Sequence, residues 1–200
     1  VNVGAHENFK RIFKEASQCS SDFFCVFSDD DLLLPGFLKS AVSMLKAHGF
    51  ADFIIMDCLQ LCGEYNLAAY ANPTGELREY RHPPKMMLPG VPYVWTSMLF
   101  KTRLASIYLN AGMKYEIGAD MRFLSIATAL HPYIYLSMPS ACVVNHEKSY
   151  SSSRSAIREG RAYQVVQLHR FVEVINWPEV PEAEKQNAKV RLKASYRQSL

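Results

Sequence analysis

The stretch FFCVFSDDDLLLPGFL, residues 23–38, decides how the rest of the chain is read. Residues 23–27 form an unbroken apolar run with aromatic and β-branched members between polar neighbours, the pattern of a strand buried on both faces. Asp29, Asp30 and Asp31 follow directly. Pro35 then stands where the first turn of a helix tolerates it, and that helix is expected to run to Lys46 or Ala47 and stop at Gly49. Carboxylates immediately after a buried strand lie where α/β sheets bind ligands, beyond the C-terminal strand ends. Three adjacent like charges repel one another, so a cation or hydrogen-bond donors must compensate them. Mg²⁺ and similar hard cations take oxygen ligands, and Asp29 and Asp31, two apart, point the same way in an extended chain. The alternative is a turn whose aspartates cap the following helix.

Working outward, residues 8–18 read as a helix with Phe9, Ile12, Phe13 and Ala16 on one face. Residues 52–61, DFIIMDCLQL, read as a second strand. Residues 64–87, rich in Asn, Pro, Gly, Arg and Glu, read as a long loop with room for a short hairpin; a loop of that length in a compact domain is often functional. Residues 94–100 show no clear period, and 101–110 look helical. Residues 119–130 form a helix with Phe123, Ile126, Ala127 and Leu130 inward, and 133–136 and 141–144 read as strands. Residues 145–155 are polar and Ser-rich. An amphipathic helix over 157–177 carries Val165, Leu168, Val172 and Ile175 on one stripe; Pro178 and Pro181 end it, and 182–198 form a last, polar helix. The alternation of strands and helices favours an α/β fold with a mostly parallel sheet.

Composition bounds the function. The chain has 200 residues, 49% hydrophobic and 20% charged, which excludes wholesale disorder. Lys plus Arg is 22 against 19 Asp plus Glu, a net charge of +3, too mild and too scattered for a nucleic-acid binder. The five cysteines, Cys19, Cys25, Cys58, Cys62 and Cys142, make neither a disulfide framework nor a zinc signature and read as isolated thiols of a reducing, cytoplasmic compartment. No signal peptide is legible at Val1, and no apolar run approaches the ~20 residues that span a bilayer.

Residues 25–38 resemble the DXD region of family 2 glycosyltransferases with the GT-A fold: apolar strand, acidic motif, short spacer, Pro, helix. Asn2-Val3-Gly4 with Asn8 resembles the N-x-G-x-x-x-N segment that precedes that motif in the family. Residues 112–123, GMKYEIGADMRF, resemble the segment holding the acidic catalytic base, and Asn145-His146 with Ser149 and Ser151 resembles the loop that closes over the nucleotide. The match covers residues 2–155. The first acidic position of the family motif is Ser28 here, so Asp29 falls at the variable position, and the Glu of the family's Glu-Asp pair is Ala119.

The resemblance implies a GT-A-like (Rossmann-like) mixed sheet flanked by helices over 1–155, lacking the family's opening β-α-β unit, with a C-terminal helical extension over 156–200. It implies inverting transfer of a sugar from a nucleotide-sugar donor to a hydroxyl of a saccharide or lipid-linked acceptor, as in polysaccharide biosynthesis, with Mn²⁺ or Mg²⁺. A cation held by Asp29 and Asp31, with His146 as a further ligand, would neutralise the departing nucleoside diphosphate. Asp120 would take the proton of the attacking hydroxyl, although its place at a helix start also suits an N-cap. Asp30, Asn2, Lys148 and Arg154 would meet the donor, and Trp95 and Glu116 the acceptor. The tail helices are candidates for peripheral contact with a membrane, and a homodimer is one way to replace a missing sheet edge. The competing readings are a non-catalytic, remnant nucleotide-sugar-binding module of the same fold, or a Mg²⁺-dependent phosphoester hydrolase built on the aspartates.

Overall fold

The computed structural model describes residues 5–62, 66–69, 73–81, 91, 93–110, 119–145 and 160–198. Its axis is a pair of long strands, β3 (Phe53–Cys62) and β7 (Tyr133–Asn145), which run parallel along their whole shared length. Each uses its other edge twice. β3 is flanked near its start by antiparallel β6 (Met98–Lys101) and near its end by β4 (Asn66–Ala69). β7 is flanked by antiparallel β5 (Leu77–Tyr80) and then by β2 (Leu32–Leu33). β1 (Phe23–Phe24) closes the far side against β6. The sheet is therefore mixed, with β3–β7 its one parallel ladder among the described residues, rather than mostly parallel as the strand–helix alternation suggests.

Strand periodicity builds two cores. Phe53 and Ile55 of β3, Met98 and Phe100 of β6, and Tyr133 and Tyr135 of β7 face one side, while Ile54, Met56, Leu99 and Ile134 face the other. The larger side is covered by α1 (Ala5–Gln18), α3 (Ala105–Asn110) and α4 (Ala119–Leu130). Helix α2 (Phe37–Ala47) covers the smaller side with Phe37, Ala41 and Leu45, spaced to fall on one face. Pro35 precedes this helix, and Gly36 at its N-cap has φ of 87°, a left-handed conformation that glycine adopts without penalty.

The C-terminal helices α5 (Gly160–Asn176) and α6 (Glu182–Gln198) pack on each other and α5 packs on α4; Phe171, Val174, Val180 and Ala188 belong to the same core as the sheet. Arg122 of α4, buried, ion-pairs with Glu173 of α5. The expected division at residue 155 lies outside the described residues. No described helix is long and apolar enough to cross a membrane.

Several expected elements differ. The run 23–27 is hydrogen-bonded only at Phe23 and Phe24, on the edge of the sheet, and Phe27 is 43% exposed. The unpunctuated segment 94–110 holds a 3₁₀ turn (Trp95–Ser97), β6, and a helix that begins only at Ala105. Part of the expected loop 64–87 forms β4 and β5, which pair with β3 and β7 rather than with each other as a hairpin. The two expected strands 133–136 and 141–144 are one strand with a bulge.

At the base of β3, Asp52 is 1% exposed and is met by three basic side chains. His131 Nδ1–H donates to it at 2.8 Å, Lys101 Nζ lies at 3.4 Å, and the Arg103 guanidinium donates to the same oxygen as Lys101. Burial alone pushes the carboxyl up, but the hydrogen bonds and charges of His131 and Arg103 outweigh it and hold the group at about 2. A carboxyl so depressed adds stability above its unfolded value, and that stability is lost as pH falls from about 4 to about 2. Asp52→Asn is expected to lose roughly 2 kcal/mol at pH 7. Urea melts of both proteins at pH 7 and pH 2.5 check this, and a difference that is the same at both values contradicts the account.

Candidate functional site

The acidic cluster forms a turn rather than extended chain. Asp31 N–H donates to the Ser28 carbonyl at 3.3 Å, Asp29 and Asp30 are exposed, and Asp31 is turned inward, 9% exposed. Asp29 and Asp31 therefore do not share a face as alternate positions of a pleated strand would. The Asp31 carboxylate is instead a junction. Its Oδ1 accepts from the Val144 backbone N–H of β7 at 3.1 Å, and its Oδ2 accepts from the Thr96 hydroxyl at 2.5 Å. Among the described residues no group of three His, Cys, Asp or Glu side chains gathers to hold a metal ion. The carboxylates present are the oxygen donors that Mg²⁺ or Mn²⁺ accept, and such ions need only one or two of them when phosphates complete the shell.

Below Asp31 lies a second carboxylate, on which sequence reasoning placed no role. Asp57 is fully buried at the β3–β7 bulge, where the register passes from Met56↔Leu136 to Asp57↔Pro139 to Cys58↔Ala141. It accepts from the Tyr135 hydroxyl at 2.6 Å and the Ser137 hydroxyl at 2.8 Å, and its carbonyl accepts from the Ser140 hydroxyl at 3.2 Å. The signal was a lone Asp inside the apolar run FIIMDCL, since a buried charge needs partners. Burial, followed by the negative charges of Asp57 and Asp31, pushes the Cys58 thiol up to about 12. Cys142 is raised too, first by burial and then by Asp31. Both thiols are buried and held in the protonated form at neutral pH, whereas Cys19 is exposed and Cys25 half-buried.

Asp120 sits in the first turn of α4, where the helix dipole and the Met121 backbone N–H favour a carboxylate. Burial outweighs these donors and raises the carboxyl above its ordinary value, while the residue keeps partial solvent contact. Trp95 lies beside it. The indole stacks on Phe9 (5.3 Å between centroids) and on Phe123 (5.6 Å), and meets Phe13 edge-on. Its N–H is buried, closes no hydrogen bond of ordinary geometry, and is near enough to Asp120 to favour the ionised form. The expected role of Trp95 as a sugar-stacking wall meets a ring already packed against protein aromatics. Tyr108, stacked face to face on Phe13 at 4.2 Å, is pushed up to about 12 by burial and then by the charge of Asp120.

The 3₁₀ turn Trp95–Ser97 runs past both acidic positions: Trp95 lies beside Asp120 without hydrogen-bonding it, and the hydroxyl of the adjacent Thr96 donates to Asp31. Consecutive residues have Cα atoms about 3.8 Å apart, so one short turn approaches both carboxylates. Thr96, unlike Asp57, carried no sequence signal of its own. Asn2, Glu116, His146, Lys148 and Arg154 lie outside the described residues.

No protein-family model and no curated protein matches the sequence. Solved structures do. Residues 1–349 of S. aureus TarS match with TM-score 0.59 at 16% identity over 94% of this chain and 49% of that one. The same protein in complex with UDP-GlcNAc gives 0.61 at 18% identity over 92% and 51%, and in complex with UDP 0.54 at 16% over 86% and 46%. The chain thus spans about half the length of these structures. The likeness shows the fold: a mixed α/β sheet flanked by helices, as in the TarS structures.

Replacing Asp57 by Ala leaves the Tyr135 and Ser137 hydroxyls without their buried acceptor, at roughly 1–3 kcal/mol each. Chemical denaturation of D57A should therefore show a loss of about 3 kcal/mol or more, with Asp57→Asn, which keeps one acceptor oxygen, clearly milder. Equal losses in the two variants would contradict the role given to the second oxygen.

Proposed function

We propose that the chain carries the site of a nucleotide-sugar glycosyltransferase that transfers a sugar with inversion to a hydroxyl of a saccharide or lipid-linked acceptor. The observation that supports it is the turn Trp95–Ser97, which runs past a buried, raised carboxyl (Asp120) and a second, hydrogen-bonded carboxylate (Asp31) at the end of the acidic turn. Two carboxylates in different surroundings can take different roles. Inverting transfer needs a base for the incoming hydroxyl on one side of the sugar and neutralisation of the departing diphosphate on the other.

Asp120 fills the first role. Its burial raises its proton affinity towards that of a useful base, and partial solvent contact leaves a path for a hydroxyl to reach it. Asp31, with Asp29 or Asp30 and with His146 beyond the described residues, would hold Mn²⁺ or Mg²⁺, whose chemistry is to offset the charge of the nucleoside diphosphate. Asp31 enters that role already oriented by Thr96 and Val144, so ligand binding has little side-chain freedom left to freeze. Asp30, Asn2, Lys148 and Arg154 are the donor contacts in this reading and Glu116 an acceptor contact; Trp95 lies beside Asp120. That TarS structures hold UDP-GlcNAc and UDP makes a uridine nucleotide the first probe to try. A non-catalytic binding module of the same fold is the second reading, and Ser28 in place of an acidic residue favours it.

UDP with Mn²⁺ should raise the melting temperature by about 5–10 °C at a ligand concentration near 100 times Kd. Asp31→Asn should largely abolish that shift. Asp120→Asn should keep it and lower UDP-GlcNAc turnover at least ~10³-fold, the scale of a lost general base together with its charge. Absence of any shift with uridine, guanosine or thymidine diphosphates, or a shift indifferent to D31N, sinks the reading. A shift in the wild type without transfer or hydrolysis selects the binding module.

A further inference from the structure

A cavity of about 500 Å³ opens at the opposite end of β6 from the Thr96–Asp31 contact. Lys46 from the last turn of α2, Lys101 at the end of β6 and Arg103 just after it line its wall, together with Ser21, Asp22 and Thr102. Hydrogen bonds hold this wall in place. The Thr102 hydroxyl donates to the Ser21 carbonyl at 2.6 Å, and the Thr102 N–H donates to the Asp22 carbonyl at 3.0 Å. Lys101 Nζ donates to the Gly49 carbonyl at 3.1 Å. Lys101 and Arg103 also share one oxygen of Asp52, whose other oxygen takes His131.

One carboxylate cannot neutralise every cation that it touches. Lys46, Lys101 and Arg103 bring three positive charges against the two negative charges of Asp52 and Asp22, so a surplus remains. Asp52 is buried behind its partners and is not part of the wall, so it fixes Lys101 and Arg103 without closing the cavity. Arg103 has a side chain 65% exposed and spends one nitrogen on Asp52, leaving most of its five N–H donors unused. Lys101 keeps one of its three ammonium N–H groups. Lys46 is exposed and makes no ion pair or side-chain hydrogen bond among the described residues. A guanidinium fork and two ammonium groups, brought together from a helix, a strand end and the turn after it, suit the several oxygens of a phosphate. The volume lies within the range of small-ligand pockets. We infer that this cavity binds a small phosphate-bearing anion, at a site separate from the acidic turn. The site stands whether or not the chain transfers sugar, because no group of the acidic turn takes part in it.

Inorganic pyrophosphate is the probe, added to the full ¹⁵N-labelled chain at an ionic strength held constant with NaCl. EDTA is present throughout, so that no divalent cation can recruit the acidic turn. The amide signals of Lys46, Thr102 and Arg103 should shift together and saturate with a Kd of about 1 mM or tighter, while those of Asp29, Asp30 and Asp31 stay in place. Lys46→Glu removes no contact of the fold, so it should melt as the wild type does and bind at least ~10-fold more weakly. Arg103→Lys keeps a charge beside Asp52 and loses the planar fork, and should weaken binding severalfold. Vesicles of phosphatidylcholine and phosphatidic acid separate the two sources of such a group. Co-sedimentation that K46E loses assigns the phosphate to a lipid headgroup, and pyrophosphate binding without co-sedimentation assigns it to a soluble compound. No saturable shift up to about 10 mM pyrophosphate overturns the site, as do shifts centred on the acidic turn, a response that NaCl alone reproduces, or an affinity unchanged in K46E.

Discussion

Asp57, buried, with its carboxylate held by the hydroxyls of Tyr135 and Ser137 and its backbone carbonyl by that of Ser140, is the constraint on which the architecture turns. β3 and β7 cannot pair in simple register past Met56, because β7 carries extra residues and Pro139, which has no N–H to give a ladder. Tyr135, Ser137 and Ser140, all on β7, clamp that irregularity to Asp57 on β3. Beyond it the two strands resume pairing in a new register, and only in that register does the Val144 N–H face Asp31. The position of the acidic turn is thus inherited from a defect in the ladder one strand away. Bulges commonly sit next to sites and re-aim side chains, and this one is stabilised by hydroxyl donors to Asp57.

The parts of the fold that burial dictates were legible in the sequence. The run DFIIMDCLQL is a two-faced strand because α2 covers Ile54 and Met56 while the larger core takes Phe53 and Ile55. The helices over 119–130 and 182–198 begin and end where their caps and prolines say. Pairing was not legible. FFCVF reads as central because its side chains are buried on both faces; Phe24 and Val26 indeed reach one core while Phe23 and Cys25 pack on the other. Periodicity reports what covers a strand's faces and is silent about what meets its edges, so an edge strand of two paired residues carried the same pattern as a central one. The same silence hid β6, whose four residues are too few to show a period.

At the site, Asp31 and Asp120 stood out because acidic residues after a strand and at a helix start have chemical uses that spacing can suggest. Thr96 and Asp57 did not, because their roles depend on groups 65 and about 80 residues away along the chain. Trp95 was singled out for an aromatic face, and the fold packs that face against Phe9 and Phe123. Which edge of a side chain is free is a property of its neighbours, and no local pattern encodes it.

The length of chain between the two long strands has a consequence for how the molecule comes into being. β3 and β7 are joined by some 70 residues and run parallel, so no hairpin can nucleate their ladder, and loop closure must be met before any of its hydrogen bonds form. Asp31 and Val144 are farther apart still, 113 residues. The helices and the β3–β4 pair can form from local contacts, whereas the acidic turn and the strand end that orients it have no reason to meet until that closure is made. The acidic turn is therefore oriented only once that long-range step of folding is made, and a nascent chain stalled before β7 would hold both aspartate-bearing segments without the strand end that orients Asp31.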